Sequence, residues 1–397
     1  MNTIGITGSD GINALFSANA SQQSQLDALS NSALSRGIDF YQNGNYDAAA
    51  KEFQRAIALS PSSSHTPDSY NYLVQSLLQL NRTDDAIKAY NQAIKSDPTN
   101  DSYHSNLGDI YYSLDRYDDA AAEYNQAVRL DSSSEHNWYS LGQAYNQIGN
   151  YAGAEQAFKK ISGQDPLDAA FGLGQTYHLM GRYDDAVSEL QSAIAINPKL
   201  GYAYLELGLV YTDQKELDKA KEQASILSSI DQSLAYQLSA YINQNESPQI
   251  LVAYSTNFNS IDGPGTKVSD LDPSLADPNS SKDFTMHFIF SKPMDTSTVS
   301  SPAYWSITRA YGQTSGGDYN WGLPLATTEV PISPIPISVV YDQNSQTADV
   351  KFRVTQNASG NGTLDPSHLV FAFRGLDAYG KAMDNAADEY SGMSQIV

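Results

Sequence analysis

The chain has 397 residues, room for two or three domains, with 45 acidic against 23 basic side chains and a net charge of −22. That balance excludes an electrostatic grip on nucleic acid or anionic lipid, which needs clustered Lys and Arg. The absence of cysteine excludes disulfides, thiolate metal sites and Cys nucleophiles.

The acidic excess is spread along the chain, with 15 basic and 30 acidic residues up to Ser247 and 8 and 15 after it. Only 17% of residues are charged, and Ser, Asn, Gln and 27 Tyr carry the polar surface, a bias that points toward a secreted or surface protein. No stretch reaches the ~18 apolar residues of a membrane span. No Lys or Arg precedes Arg36, so a secretory signal peptide is not expected at this N-terminus, and export would need another route or a longer precursor. Residues 1–29 are Gly/Ser/Asn-rich and predicted to be flexible, or ordered by a partner. Ile4, Ile6, Ile12, Leu15 and Phe16 stand out in this stretch as candidates for self-association.

A repeat follows. "RYDDA" occurs at Arg116–Ala120 and again at Arg182–Ala186, with looser copies elsewhere. The small residue closing each copy is Ala49, Ala86, Ala120, Ala154, Ala186 or Ala220, at spacings of 37, 34, 34, 32 and 34. A period near 34 predicts stacked helical hairpins. Twelve residues before these anchors lie Gly37, Val74, Gly108, Gly142, Gly174 and Gly208; nine before them lie Phe40, Leu77, Tyr111, Tyr145, Tyr177 and Tyr211. Phe53, Tyr90, Tyr124, Phe158, Leu190 and Ala224 come four after. Gly on the first helix and Ala on the second mark a close crossing, where a larger side chain would cost about 1–3 kcal/mol. The aromatics are expected to fill the wedges, and Pro61, Pro98, Pro166 and Pro198 to stop the second helices.

These in-phase positions resemble tetratricopeptide repeats, six of them from about Ser30 to Asp231. "QSLAYQLSAYI" then places Leu234, Leu238, Tyr241 and Ile242 on one face, as a capping helix requires. The resemblance implies a right-handed α-solenoid over 30–246. Val74 and Thr83 in the second repeat, Ser132 in the third and Gly163 in the fourth depart from the pattern, and the first spacing leaves a longer loop near Ser62–Thr66.

Such solenoids hold a peptide or helix on the face of their first helices. The family's geometry places there Asn71, Gln75, Asp109, Tyr112, Tyr139, Gln143, Asn146, Phe171, Gln175, His178, Tyr202 and Leu205. None is Lys or Arg, so a clamp for an acidic C-terminus is not expected. Amides and aromatics suit main-chain hydrogen bonding and apolar contact. The pairs Asp84–Asp85, Asp118–Asp119 and Asp184–Asp185 read as helix-opening carboxylates rather than as catalysts.

From residue 247 the period becomes two. "FTMHFIF" sets Phe284, Met286, Phe288 and Phe290 against Thr285, His287 and Ile289; "ADVKFRV" sets Ala348, Val350, Phe352 and Val354 on one face. "HLVFAF", "ILVAY" and "ISVVY" add strands, predicting an antiparallel β-sandwich over 247–397 and a multidomain α + β chain. "FIFSKPMDTSTV" and "FRGLDAYGKAMD" resemble the opening and closing signatures of bacterial immunoglobulin-like domains of surface-layer type. Arg309–Pro336, with Tyr311, Tyr319 and Trp321, is longer than a simple connection and is a candidate binding loop or subunit contact. Asp270, Asp272 and Asp277 supply oxygen donors without the order of a calcium loop. His287 sits alone on a polar strand face, and no nucleophile elbow or phosphate loop occurs.

The expectation is a non-enzymatic scaffold or assembly protein without cofactor. It would be extracellular or on the cell surface, with a cytoplasmic site as the alternative. Its partners would be proteins, with a homo-oligomer or filament formed by the N-terminal segment in a neighbour's groove, and with no nucleic acid and no membrane insertion. The alternatives are a monomeric adaptor and a carbohydrate-binding protein using Trp321, Tyr319 and Tyr311.

Overall fold

The computed structural model describes residues 8–311, 317–392 and 395–396, with side chains for 20–311 and 317–392. Thirteen helices precede the first strand: α1 (Gly8–Gln42), α2 (Tyr46–Leu59), α3 (Thr66–Gln79), α4 (Thr83–Ser96), α5 (Asp101–Ser113), α6 (Tyr117–Leu130), α7 (Glu135–Gln147), α8 (Tyr151–Ile161), α9 (Pro166–Leu179), α10 (Tyr183–Ile196), α11 (Gly201–Asp213), α12 (Leu217–Ile230) and α13 (Gln232–Asn245). They form a tandem series of hairpins with the expected period. The chain divides into two compact units, Met1–Val210 and Tyr211–Val397, a division that falls inside α11.

Every hairpin turns on a left-handed residue. Gly44, Asn81, Asp115, Gly149, Gly181 and Lys215 have φ from 57° to 75° and recur with the spacings of the anchor alanines. Each reversal is closed by a backbone bond five residues back: Asn45 N–H to the Phe40 carbonyl, Arg82 to Leu77, Arg116 to Tyr111, Asn150 to Tyr145, Arg182 to Tyr177 and Glu216 to Tyr211, all at 2.8–2.9 Å. This Schellman closure satisfies a carbonyl that the helix end leaves orphaned.

"RYDDA" is therefore a turn-and-restart unit. Arg116 stacks 4.3 Å above the Tyr111 ring and pairs with Asp119 at 2.5 Å; Arg182 does the same with Tyr177 at 4.2 Å and Asp185 at 2.6 Å. The second Asp lies in the first turn of α6 or α10, where the helix N-terminus favours a carboxylate. A side chain in the left-handed region costs about 1–3 kcal/mol, a cost glycine avoids. Lys215→Gly is accordingly expected to stabilise the second unit by about 1 kcal/mol, read as a raised urea midpoint with unchanged slope.

The Gly positions of the repeat meet the residues four after the anchors. A Cβ on Gly37, Gly108, Gly142 or Gly174 would lie 2.5, 2.7, 2.7 or 2.6 Å from Phe53, Tyr124, Phe158 or Leu190. Ala49, Ala86, Ala120, Ala154 and Ala186 are fully buried beside them.

Three boundaries differ from expectation. The segment over 1–29, expected to be flexible or ordered by a partner, is helical from Gly8 and continuous with the first repeat helix, because no proline interrupts it and α2 anchors it. Ser60 Oγ donates to Asp27 Oδ1 at 2.5 Å, Gln23 Nε2 donates to Ser60 Oγ at 3.2 Å, and Ser30 Oγ donates to the Ala56 carbonyl at 2.8 Å. Ile12, Leu15 and Phe16 lie at helical spacing in α1, whereas Ile4 and Ile6 fall outside the described residues. Second, α8 ends at Ile161, which leaves Gly163 in the following turn. Third, Pro166 opens α9 rather than stopping α8, because its missing N–H is no loss at a first helical position.

In the second unit α13 buries Leu234, Leu238 and Ile242, and the Tyr241 hydroxyl donates to Asp213 Oδ1 at 2.7 Å. Among the described residues ten strands follow: β1 (Ile250–Tyr254), β2 (Thr266–Lys267), β3 (Ser281–Phe290), β4 (Trp305–Arg309), β5 (Ser338–Asp342), β6 (Thr347–Thr355), β7 (Thr363–Leu364), β8 (Leu369–Phe373), β9 (Glu389–Ser391) and β10 (Gln395–Ile396). They make antiparallel sheets in the orders β1-β3-β6-β5 and β10-β9-β8-β4, with β2-β7 as a small third. The alternation read from the sequence is the burial observed: Phe284, Met286, Phe288 and Phe290 on β3 and Ala348, Val350, Phe352 and Val354 on β6 are all buried. Both four-stranded sheets feed one aromatic core, in which Phe288 lies 5.0 Å from Trp305 and 6.0 Å from Phe371.

Lys292, from the "SKPMD" run, joins α13 to this sheet region. Its Nζ donates at 2.5 Å to the carbonyls of Asn243 and Glu246 and pairs with Asp377 at 2.6 Å.

Candidate partner-binding face

The twelve residues expected on the partner-binding face all lie on first helices: α3, α5, α7, α9 and α11. Gln75, Asp109 and Tyr202 are exposed, Asn146 is buried, and the other eight are half-buried. Several of them meet across repeats. Gln143 Nε2 donates to the Tyr139 hydroxyl at 3.0 Å and to Gln175 Oε1, one repeat further on, at 3.1 Å. Asn71 Oδ1 accepts from Asn106 Nδ2 at 3.2 Å and from the Tyr90 hydroxyl at 3.0 Å. Asn146 Oδ1 accepts from Thr176 Oγ1 at 3.1 Å, and His178 Nδ1 lies 2.6 Å from Glu206 Oε1. Asp109 Oδ1 accepts from the Tyr124 hydroxyl at 2.7 Å, and burial first, then this bond, pushes the phenol far above its ordinary pKa.

Asn106, Thr176 and Glu206 complete these bridges and were not among the residues singled out from the sequence. Thr176 and Glu206 sit one position beside Gln175 and Leu205 and Asn106 three before Asp109, and the family's spacing alone gives no reason to include them. Phe171, Tyr112, Tyr202, Leu205 and Gln75 enter none of the cross-repeat hydrogen bonds described here.

The Gln143–Gln175 bridge leaves a directional pair. Among the described residues nothing bonds to Gln143 Oε1 or Gln175 Nε2, and both side chains are half-buried. One open acceptor and one open donor side by side match the alternating N–H and C=O of an extended main chain.

In the second unit the constellations weighed from the sequence resolve differently. No three His, Asp or Glu side chains that could hold a metal ion converge among the described residues. Asp272 instead caps a helical turn by accepting from Ser274 N–H at 2.9 Å and pairs with Lys282 at 3.0 Å. Its bonds with Ser274, then Lys282, lower its pKa to about 2. His287 is not alone: Asp349 lies directly across the ladder with Oδ1 2.6 Å from Nδ1, and Tyr254 stacks on the ring at 4.9 Å.

Asp365, Ser367 and His368 form a triad the sequence did not suggest, with Ser367 Oγ 3.0 Å and Asp365 Oδ2 2.8 Å from the same His368 Nδ1. All three are at least 96% buried, and Ser367 Oγ also donates to Asp365 Oδ1 at 2.8 Å, which closes the three side chains into one cluster shielded from solvent. The cluster instead holds the long loop, since Asp365 Oδ2 accepts the Asn320 N–H at 2.7 Å and Trp321 packs on His368 at 4.9 Å. Tyr319 is buried with its hydroxyl bonded to Glu329, which removes it from any sugar-stacking platform; Trp321 and Tyr311 stay exposed.

Tetratricopeptide repeat models match the chain over residues 34–100, 73–135 and 111–174, and a TPR repeat model matches 174–215. The helical hairpins within residues 34–215 match tetratricopeptide repeats. Among solved structures, MamA is similar at 27% identity over 41% of this chain and 97% of that one, with a TM-score of 0.38. YrrB, a TPR protein with an unusual peptide-binding site, is 20% identical over 48% of this chain and 99% of its own, with a TM-score of 0.39. Pseudomonas aeruginosa pilF is 20% identical over 54% and 98%, with a TM-score of 0.43. No curated protein sequence matches the chain.

Proposed function

We propose that this TPR protein is a non-enzymatic scaffold whose first-helix face holds an extended, uncharged segment of a protein partner. The observation that carries this reading is the open acceptor–donor pair left by the Gln143–Gln175 bridge, on a face where none of the twelve residues is Lys or Arg. TPR repeats generally serve adaptors and scaffolds, and no nucleophile–base arrangement among the described residues offers turnover.

The occupant we favour is the N-terminal segment of a second copy, giving head-to-tail assembly. Ile4 and Ile6, in the uncharged run ahead of α1, alternate with small residues and supply the apolar anchors for it. We read the sheet region as an immunoglobulin-like sandwich, supported by its shared aromatic core, and the location as extracellular or cell-surface, supported by the composition. The competing reading is a monomeric adaptor for another protein.

Light scattering on the purified full chain tests this, beside a chain lacking residues 1–19 and the variant Gln143→Lys. Assemblies that vanish on truncation and need about tenfold more Gln143→Lys protein to form are expected, because the new ammonium must be desolvated against neutral main chain. A monomeric full chain would overturn self-assembly. Assemblies indifferent to both changes would overturn the use of this face.

A further inference from the structure

The fourth repeat reads "NYAGA" where its neighbours read "RYDDA", and the structure shows what the change opens. Between α6, α7 and α8, on the side of the second helices, lies a cleft of ≈ 510 Å³. Val128, Leu141 and Ala157 make its apolar floor, Trp138 and Tyr145 its walls, and Arg129 stands at its rim. The cleft between α2, α3 and α4 uses the same repeat positions and holds ≈ 400 Å³. There Asp85 occupies the mouth, bound to Arg82 at 2.9 Å and Lys88 at 3.1 Å. In the fourth repeat the corresponding residues are Gly153, Asn150 and Gln156, so that neutralised charge cluster is gone.

What remains is cationic. Among the described residues no carboxylate pairs with Arg129, and Lys160 Nζ stands 6.0 Å from the Trp138 ring without an ion pair. The one carboxylate on α8, Glu155, is already shared by Lys159 at 2.5 Å and Arg182 at 3.7 Å. On a chain of net charge −22, a cleft whose lining holds one charged side chain, the unpaired Arg129, with Lys160 beside its Trp138 wall, favours an anionic partner.

We propose that this cleft binds an acidic peptide segment of a partner protein, seating one aromatic or aliphatic side chain on the Val128–Leu141 floor with flanking carboxylates on Arg129 and Lys160. Charge complementarity selects the acidic flanks, and the apolar floor selects a peptide over a bare anion. The site lies on the second-helix side and does not depend on the occupant of the first-helix face.

The test is fluorescence anisotropy of the full chain with the peptide carboxyfluorescein-Gly-Asp-Phe-Glu-Gly-amide, the dye joined to the N-terminal amine. Saturable binding is expected, weakened about tenfold by Arg129→Glu and by the Asn/Gln version of the peptide, with the difference shrinking in high salt. Ala152→Asp returns one carboxylate that neighbouring repeats carry, so it leaves the fold intact and weakens the peptide as well. Absence of binding, equal affinity for the neutral peptide, indifference to Arg129→Glu, or displacement by equimolar inorganic phosphate would each overturn the proposal.

Discussion

Lys292→Met is expected to destabilise the second unit by about 3–5 kcal/mol, because breaking a buried ion pair leaves its partner uncompensated. Lys292 is 8% exposed and Asp377 is fully buried, at 2.6 Å from one another. The methionine fills the aliphatic space but leaves Asp377 Oδ2 without a counter-charge and the carbonyls of Asn243 and Glu246 without a donor. Those carbonyls end α13, where a cation opposes the negative end of the helix dipole. Asp377 also shapes its own turn, accepting from the N–H groups of Tyr379 at 2.8 Å and Lys381 at 2.7 Å through Oδ1. Pairing Lys292→Met with Asp377→Asn keeps the turn and removes the stranded charge, so the double variant should recover part of the loss. Urea unfolding followed by the buried Trp305 measures both, and limited proteolysis near Asn245–Pro248 reports release of the helix end. A single variant within about 1 kcal/mol of wild type would show that the pair is hydrated, as surface pairs are.

Phe158→Ala carries the second large effect, about 3–5 kcal/mol, from a ring deleted at a site that cannot collapse. The ring is fully buried against two glycines from neighbouring repeats: a Cβ on Gly142 or Gly172 would lie 2.7 or 2.4 Å from it. Tyr139 meets it edge-on with centroids 5.6 Å apart. The glycines offer no side chains to move into the hole, so the cavity term is added to the lost transfer energy. Stability in a repeat array is a sum of repeat and nearest-neighbour terms, so the damage should be local at first. Hydrogen exchange should show α7–α9 losing protection before α2–α5. A uniform loss along the first unit would mean that its repeats unfold as one body, against this prediction.

Much of this architecture was legible in the sequence because its causes are local and periodic. The anchor alanines, the glycines twelve before them and the aromatics four after them recur in phase because each crossing solves the same packing problem. Phe284 to Phe290 and Ala348 to Val354 announced their buried faces by strict alternation. The turns were harder to read. Gly44, Asn81, Asp115, Gly149, Gly181 and Lys215 share one backbone conformation but no side-chain chemistry, so the recurrence shows only as φ. The candidate face was half legible: family spacing selected Gln143 and Gln175, while their cross-repeat bond needed the stacking of one hairpin on the next.

By itself, the sequence determined the repeat period, the two kinds of periodicity, the acidic and cysteine-free character, and which faces are buried. These follow from composition and from spacing along a single helix or strand. Only the tertiary structure decided that Lys292 clasps the end of α13, that Asp365 and His368 hold a loop, that Tyr319 is withdrawn from the surface, and that the cleft beside "NYAGA" lacks the charge cluster of its counterpart. The physical reason is common to all four: each depends on which polar group a side chain meets across tens of residues of chain, and that pairing is set by packing, not by local order.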